Sequence, residues 1–179
     1  MPESVLEMVV DALGKPSKPR RDAIPASTVV EWMRTTDLEA LGALQVLISD
    51  PRHAGRIVPR LSFDAVFEFT MRYSERCILE NPQAGQWASS CYLVGHDLVR
   101  WFLRMWDDPL VARQRLGEIK SRLARLYKSG DLDVKECIVN GVLEHLFERN
   151  DVAAYFIDWK ADSELGQAYD DALLWSRPD

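Results

Sequence analysis

The sequence predicts an all-α fold, a single helical domain over residues 1–179 arranged as a bundle of roughly seven to nine helices. Three observations carry this. Apolar residues recur at steps of three and four in nearly every long segment, no segment alternates with period two, and the breaks between segments hold proline, glycine or an Asp/Asn pair. With 47% hydrophobic and 28% charged residues, a chain of this length buries a core without a disulfide or metal to complete it.

The first helix is expected from about Pro2 to Leu13, with Val5, Leu6, Val9, Val10 and Leu13 in register, ending at Gly14. Residues 15–24 then read as a proline-rich, basic, solvated connector, because Pro16 and Pro19 interrupt regular hydrogen bonding. Thr28 and Glu31 have capping-box spacing, and Asp37 reads as the N-cap of a helix to about Ser49 with Leu38, Leu41, Leu44, Gln45 and Ile48 on one stripe. Residues 50–61 contain Pro51, Gly55 and Pro59 and read as a loop; Ser62 recaps a helix whose core face is Phe63, Val66, Phe67, Thr70, Tyr73 and Cys77 or Ile78, stopping near Asn81-Pro82.

After Gly85 a central helix is expected to Trp106, with Trp101 in the middle of its aromatic stripe. Asp107-Asp108-Pro109 starts a basic helix to about Tyr127, on which Leu116, Ile119, Leu123 and Leu126 face the core. Residues 132–149 form another buried helix, broken at Asn150-Asp151. A short helix over 152–159 and a last one from Asp162 or Ser163 to Trp175 complete the chain.

Charge narrows the function classes. The net charge is -6, but from Leu110 to Lys128 six bases stand against one acid, and from Ser129 to Asp179 twelve acids stand against four bases. Either the basic helix lies beside the acidic segment, or the acidic face meets a basic partner. A pI near 5.1 speaks against a nucleic-acid partner, since phosphate binding needs a basic field. No apolar run is long enough for a bilayer span and no leader pattern opens the chain, so a cytoplasmic protein without membrane association is expected.

Catalytic patterns are missing. Cys77, Cys91 and Cys137 have no paired spacing and read as reduced, buried thiols. His53, His96 and His145 have no ligand spacing and read as surface or capping residues, and no Gly-x-Ser-x-Gly elbow, Walker loop or dinucleotide fingerprint occurs. Of the tryptophans, Trp32, Trp87, Trp101 and Trp159 fit apolar stripes, whereas Trp106 and Trp175 stand at helix ends and are expected to be exposed. No cofactor, no metal and no enzymatic activity are expected.

The run Glu136-Cys137-Ile138-Val139-Asn140-Gly141-Val142-Leu143-Glu144-His145-Leu146, followed by Leu165-Gly166-Gln167-Ala168-Tyr169 and Trp175, resembles the closing portion of small helical bacterial immunity-type proteins encoded beside polymorphic or secreted antibacterial toxins. In these a helix with a Glu-Cys-x-x-x-Gly-x-Leu-Glu pattern precedes a Leu-Gly turn and a terminal helix. The resemblance covers the C-terminal quarter, leaves residues 1–130 outside it and carries over no catalytic residue. It implies a protein that binds and occludes a cognate toxin with a basic surface. The matching face here would be Asp151, Asp158, Asp162, Glu164, Asp170 and Asp171, with Trp175 at its edge. The alternative is a helical enzyme or ligand-binding regulator using an aromatic pocket near Trp101, Trp106 and His96.

On the spacing of its histidines and cysteines, the purified chain is expected to hold no stoichiometric transition metal and to melt at the same temperature with and without chelator. One equivalent of zinc or iron by elemental analysis would overturn this.

Overall fold

A computed structural model describes residues 4–15, 18–82 and 85–176. The fold is all-α: 75% of it is helical, and eight helices among the described residues reach seven residues or more. The described residues gather into two compact units, one of residues up to 77 with 82–89, the other of residues 78–81 with 90 onward.

In the first unit α1 (Val5–Leu13) is held at its start by Ser4, whose Oγ accepts from the Glu7 amide at 3.2 Å while its own amide donates to Glu7 Oε2 at 2.8 Å. That capping box starts the helix after the expected Pro2, in a chain whose residues 1–3 lie outside the described part. Gly14 ends it with φ 77°, a conformation glycine adopts without strain. The connector is tied down, contrary to expectation. β1 (Gly14–Lys15) pairs antiparallel with β2 (Lys18–Pro19), and β3 (Ile24–Pro25) pairs parallel with β4 (Ile57–Val58). Arg56 fastens the same stretch by donating to the carbonyls of Asp22 at 3.0 Å and Ala12 at 2.8 Å. Pro16 and Ser17 lie outside the described residues.

Helix α2 (Ala26–Trp32) begins at Pro25, so Thr28 lies inside the helix and is not its cap. Helix α3 (Leu38–Ser49) starts as expected on Asp37, whose carboxylate accepts from the Glu39 amide at 3.0 Å. It is buried nearly all round, from Ala40 through Leu44 and again at Leu47 and Ile48, which makes it the core of this unit. The expected loop instead holds a helical turn, α4 (Pro51–Ala54), because Asp50 caps it and Pro51 occupies its first position.

Helix α5 (Phe63–Glu80) is capped by Ser62. Its buried set includes Phe69 and Met71 besides Phe67, Tyr73, Cys77 and Ile78, while Phe63 is exposed. Residues 85–88 return to α3. Glu39 accepts from the amides of Trp87 at 2.8 Å and Ala88 at 3.3 Å, and a side chain at Gly42 would collide with the Trp87 carbonyl.

The second unit is built on α6 (Cys91–Asp107), which starts at the Ser90 cap and leaves Trp87 outside any helix. It buries Cys91, Val94, Leu98, Phe102 and Met105. The expected aromatic centre shifts by one residue: Phe102 is fully buried and Trp101 half-buried. Asp108 accepts from the Leu110 amide in a turn, so α7 (Arg113–Ser129) begins later than expected, with Leu116, Ile119, Leu123 and Leu126 inside. Helix α8 (Leu132–Ile138) is capped by Asp131 and runs through a π-helical turn (Val139–Leu143) into α9 (Glu144–Phe147). Then follow α10 (Asn150–Tyr155), a 3-10 turn (Ile157–Ala161) and α11 (Ser163–Trp175), capped by Asp162.

Gly95 of α6 faces the π turn so closely that an added Cβ would lie 2.7 Å from the Gly141 carbonyl oxygen. Replacing Gly95 with alanine gains about 1 kcal/mol of helix propensity but forces two backbones apart, which costs about 1–3 kcal/mol in a packed core. Gly95→Ala is therefore expected to lower stability by up to about 2 kcal/mol in urea melts, whereas Gly117→Ala, whose added Cβ meets only Tyr155 Oη at 3.6 Å, is expected to leave it unchanged or raise it. A stabilised Gly95→Ala variant would contradict the close approach.

Candidate functional site

The six acidic residues expected to form a partner face all fall on α10, the 3-10 turn and α11, and the structure shows what each one faces. Helix α7 supplies two of the five pairing cations, Lys120 and Lys128. Lys120 Nζ donates to the Tyr155 carbonyl at 2.7 Å and pairs with Asp158, its ammonium 4.5 Å from the Tyr155 ring centroid and 5.2 Å from that of Phe156. Lys128 pairs with Asp162, which also accepts from the amides of Glu164 and Leu165 as the cap of α11. The Lys128 ammonium first, then those amides, holds the Asp162 carboxyl below its ordinary range. Lys135 of α8 reaches Glu164 at 3.6 Å, and Lys160 pairs with Asp170 at 2.8 Å.

Asp151 is the most constrained of the set. The Arg149 guanidinium forks between Asp107, at 2.7 and 2.9 Å, and Asp151, at 2.8 and 3.2 Å. Asp151 Oδ2 also accepts from the Trp106 indole N–H at 2.9 Å. Arg149 first and Trp106 second lower the Asp151 carboxyl to about 2.

Among the described residues only Asp171 of the six has no cation in pairing distance. Its field, with that of Glu164, reaches Tyr127, whose hydroxyl is raised chiefly by burial. One helical turn on from Asp171, Leu174 and Trp175 are 71% and 61% exposed. The expected exposure of Trp175 is thus seen.

The expected exposure of Trp106 is not. Its ring stacks on Phe102 at 6.0 Å, meets Tyr155 edge-on at 5.2 Å and lies 4.3 Å under the Arg113 guanidinium. Helix-end position alone does not reveal this, because Tyr155 and Asp151 come from almost fifty residues downstream. His96 is exposed and rests against His145 of α9, ring centroids 4.5 Å apart, with His145 Nδ1 3.2 Å from Glu148 Oε1. Trp106 and His96 therefore have separate environments. An open groove on the same helix is lined by Arg100, Leu103, Arg104, Asp107 and Asp108, without Trp101, Trp106 or His96.

All three cysteines are free and buried. Burial first, and the neighbouring Cys91 second, pushes the Cys137 thiol up, away from the reactive thiolate. Among the described residues no group of three or more His, Cys, Asp or Glu is placed to hold a metal, and no helix is long and apolar enough to cross a membrane.

Compared with protein-family models, curated proteins and solved structures, the chain has no match.

Because its folded value is depressed, the Asp151 carboxylate contributes stability above its ordinary value of 3.8, and that contribution fades as the pH falls towards about 2. A carboxyl-detected NMR titration is expected to give a midpoint near 2 for Asp151, and Trp106→Phe to raise it. A midpoint at 3.8 in the native chain would mean that the Arg149 fork is open.

Proposed function

We propose that the chain is an immunity-type binding protein that neutralises a cognate antibacterial toxin by docking on a basic surface of it, in the cytoplasm and without catalysis of its own. The observation that carries this reading is the outer face of the last helical turns, where Leu174 and Trp175 are mostly exposed beside an Asp171 that no described cation neutralises. An exposed tryptophan costs solvation unless a partner covers it, and a rigid aromatic next to an uncompensated carboxylate is what a basic partner needs as an anchor. The resemblance of residues 136–146, 165–169 and Trp175 to immunity-type proteins supports the same reading.

The internal pairing of the other acidic residues narrows the docking face without removing its charge. Asp158, Glu164 and Asp170 keep most of their side-chain surface in water even while paired, so they add to the field that steers a basic partner. The core of the face is Asp171, Leu174 and Trp175; the paired carboxylates form its rim.

The reading is tested by co-expression with the product of the adjacent reading frame. Co-purification and protection from its toxicity are expected, and the loss of both would overturn the proposal. Within such a complex, Asp171→Lys is expected to slow association and flatten its dependence on salt, and Trp175→Ala to raise the dissociation rate at least about tenfold. Stability of either variant should stay within about 0.5 kcal/mol. Unchanged binding by the folded double variant would rule out this face.

A further inference from the structure

The first unit contains a groove that the docking reading does not use. It encloses about 320 Å³ and is lined by Ile48 at the end of α3, Pro51, Ala54 and Gly55 around α4, Ile57 of β4, Arg60, Leu61, and Val66 of α5. That volume lies at the lower end of small-molecule sites, and a mostly apolar lining with few polar groups is the usual composition of one. The wall is firm. Ile48 and Ile57 are buried in the core, Ile57 is held in its ladder with Ile24, and Asp50 caps the turn that carries Ala54.

One charge stands among these apolar groups. Arg60 has no carboxylate in pairing distance and no hydrogen-bond partner among the described residues, whereas the other arginines of this stretch are committed: Arg52 to Asp50 at 2.5 Å, Arg56 to two carbonyls. Two buried polar atoms without a partner, Gln45 Oε1 and His53 Nδ1, sit on the helices that supply Ile48 and Ala54. A guanidinium free of counter-charge at an apolar groove favours a ligand with the opposite polarity pattern, an anionic head on a hydrocarbon body.

We propose that this groove is a binding site for a small amphipathic monocarboxylate, its hydrocarbon part against Ile48, Ile57, Leu61 and Val66 and its carboxylate on Arg60. The size of the groove limits the ligand to a short or medium chain or a single ring. Arg60 sets the preference for the anion, and the aliphatic wall supplies the affinity through buried apolar surface. The site is independent of the docking face, so either can fail without the other.

Titration of the whole chain with sodium octanoate, followed by methyl NMR and calorimetry, tests this. Saturable one-to-one binding is expected, with shifts concentrated in the methyls of Ile48, Ile57, Leu61 and Val66. Arg60→Gln, a change at an exposed position, is expected to weaken octanoate about tenfold or more while leaving the binding of octanol, the neutral analogue, within about twofold. Ala54→Trp should fill the groove and abolish both; circular dichroism and a thermal melt check that this variant is folded, and the Arg60→Gln comparison stands without it. Absence of saturable binding, shifts centred elsewhere, or equal octanoate affinity in the Arg60→Gln variant would each overturn the proposal.

Discussion

Backbone meets backbone where α6 crosses the π turn at residues 139–143, and the arrangement of the second unit follows from that approach. Gly95 leaves no side chain between the two, and the wider π turn presents the Gly141 carbonyl to the gap. With the helices this close, the side chains before and after the contact interlock: Val94, Leu98 and Phe102 on one side, Ile138, Val142 and Leu146 on the other, all fully or almost fully buried. Phe102 then becomes the base of an aromatic group in which Trp106, Tyr155, Phe156, Phe147, Trp159 and Tyr169 meet at centroid distances of 5 to about 6 Å.

That aromatic group is where the charges of the chain are organised. Lys120 and Arg113 lie over its rings, Lys120 reaching Asp158 beyond, and Trp106 offers its N–H to Asp151. The contrast between the basic stretch before residue 129 and the acidic stretch after it is therefore in part an internal one, through Lys120 on Asp158 and Lys128 on Asp162. Individually these exposed pairs add little stability, but they fix which carboxylates are paired within the molecule and which are not. Of the six carboxylates of the expected face, Asp171 is the one without a cation among the described residues, and it lies beside the exposed end of α11.

Much of the fold was legible in the sequence because helix signals are local. Asp37, Ser62 and Asp162 cap the helices they were expected to start, and the stripe Leu116, Ile119, Leu123, Leu126 is buried as its spacing implies. What the sequence hid was tertiary. The short ladder between Ile24 and Ile57 joins segments more than thirty residues apart, and the difference between Trp101 and Phe102 depends on which flank of α6 is covered by other helices. The acidic face showed the same limit: the residues could be chosen by charge, but whether a lysine stands opposite each could not. The groove at Arg60 lies in a stretch whose prolines and glycine read as a plain loop.

The clasp of Glu39 and Gly42 on residues 87 and 88 bears on the order in which the first unit assembles. Its hydrogen bonds join residues 48 and 49 apart, and closing a flexible loop of that length costs about 3 kcal/mol of chain entropy beyond the fixed cost of any closure. The 18 residues of α5 lie inside that loop, and once helical they act as one rod, so the chain left to be closed is much shorter. Forming α3 and α5 first is thus the cheaper route: helices appear in about a microsecond from local contacts, and the returning strand of residues settles onto a surface that already exists. On that route the segment holding Trp87 docks after α3 and α5, which makes the indole of that residue a natural reporter of the clasp.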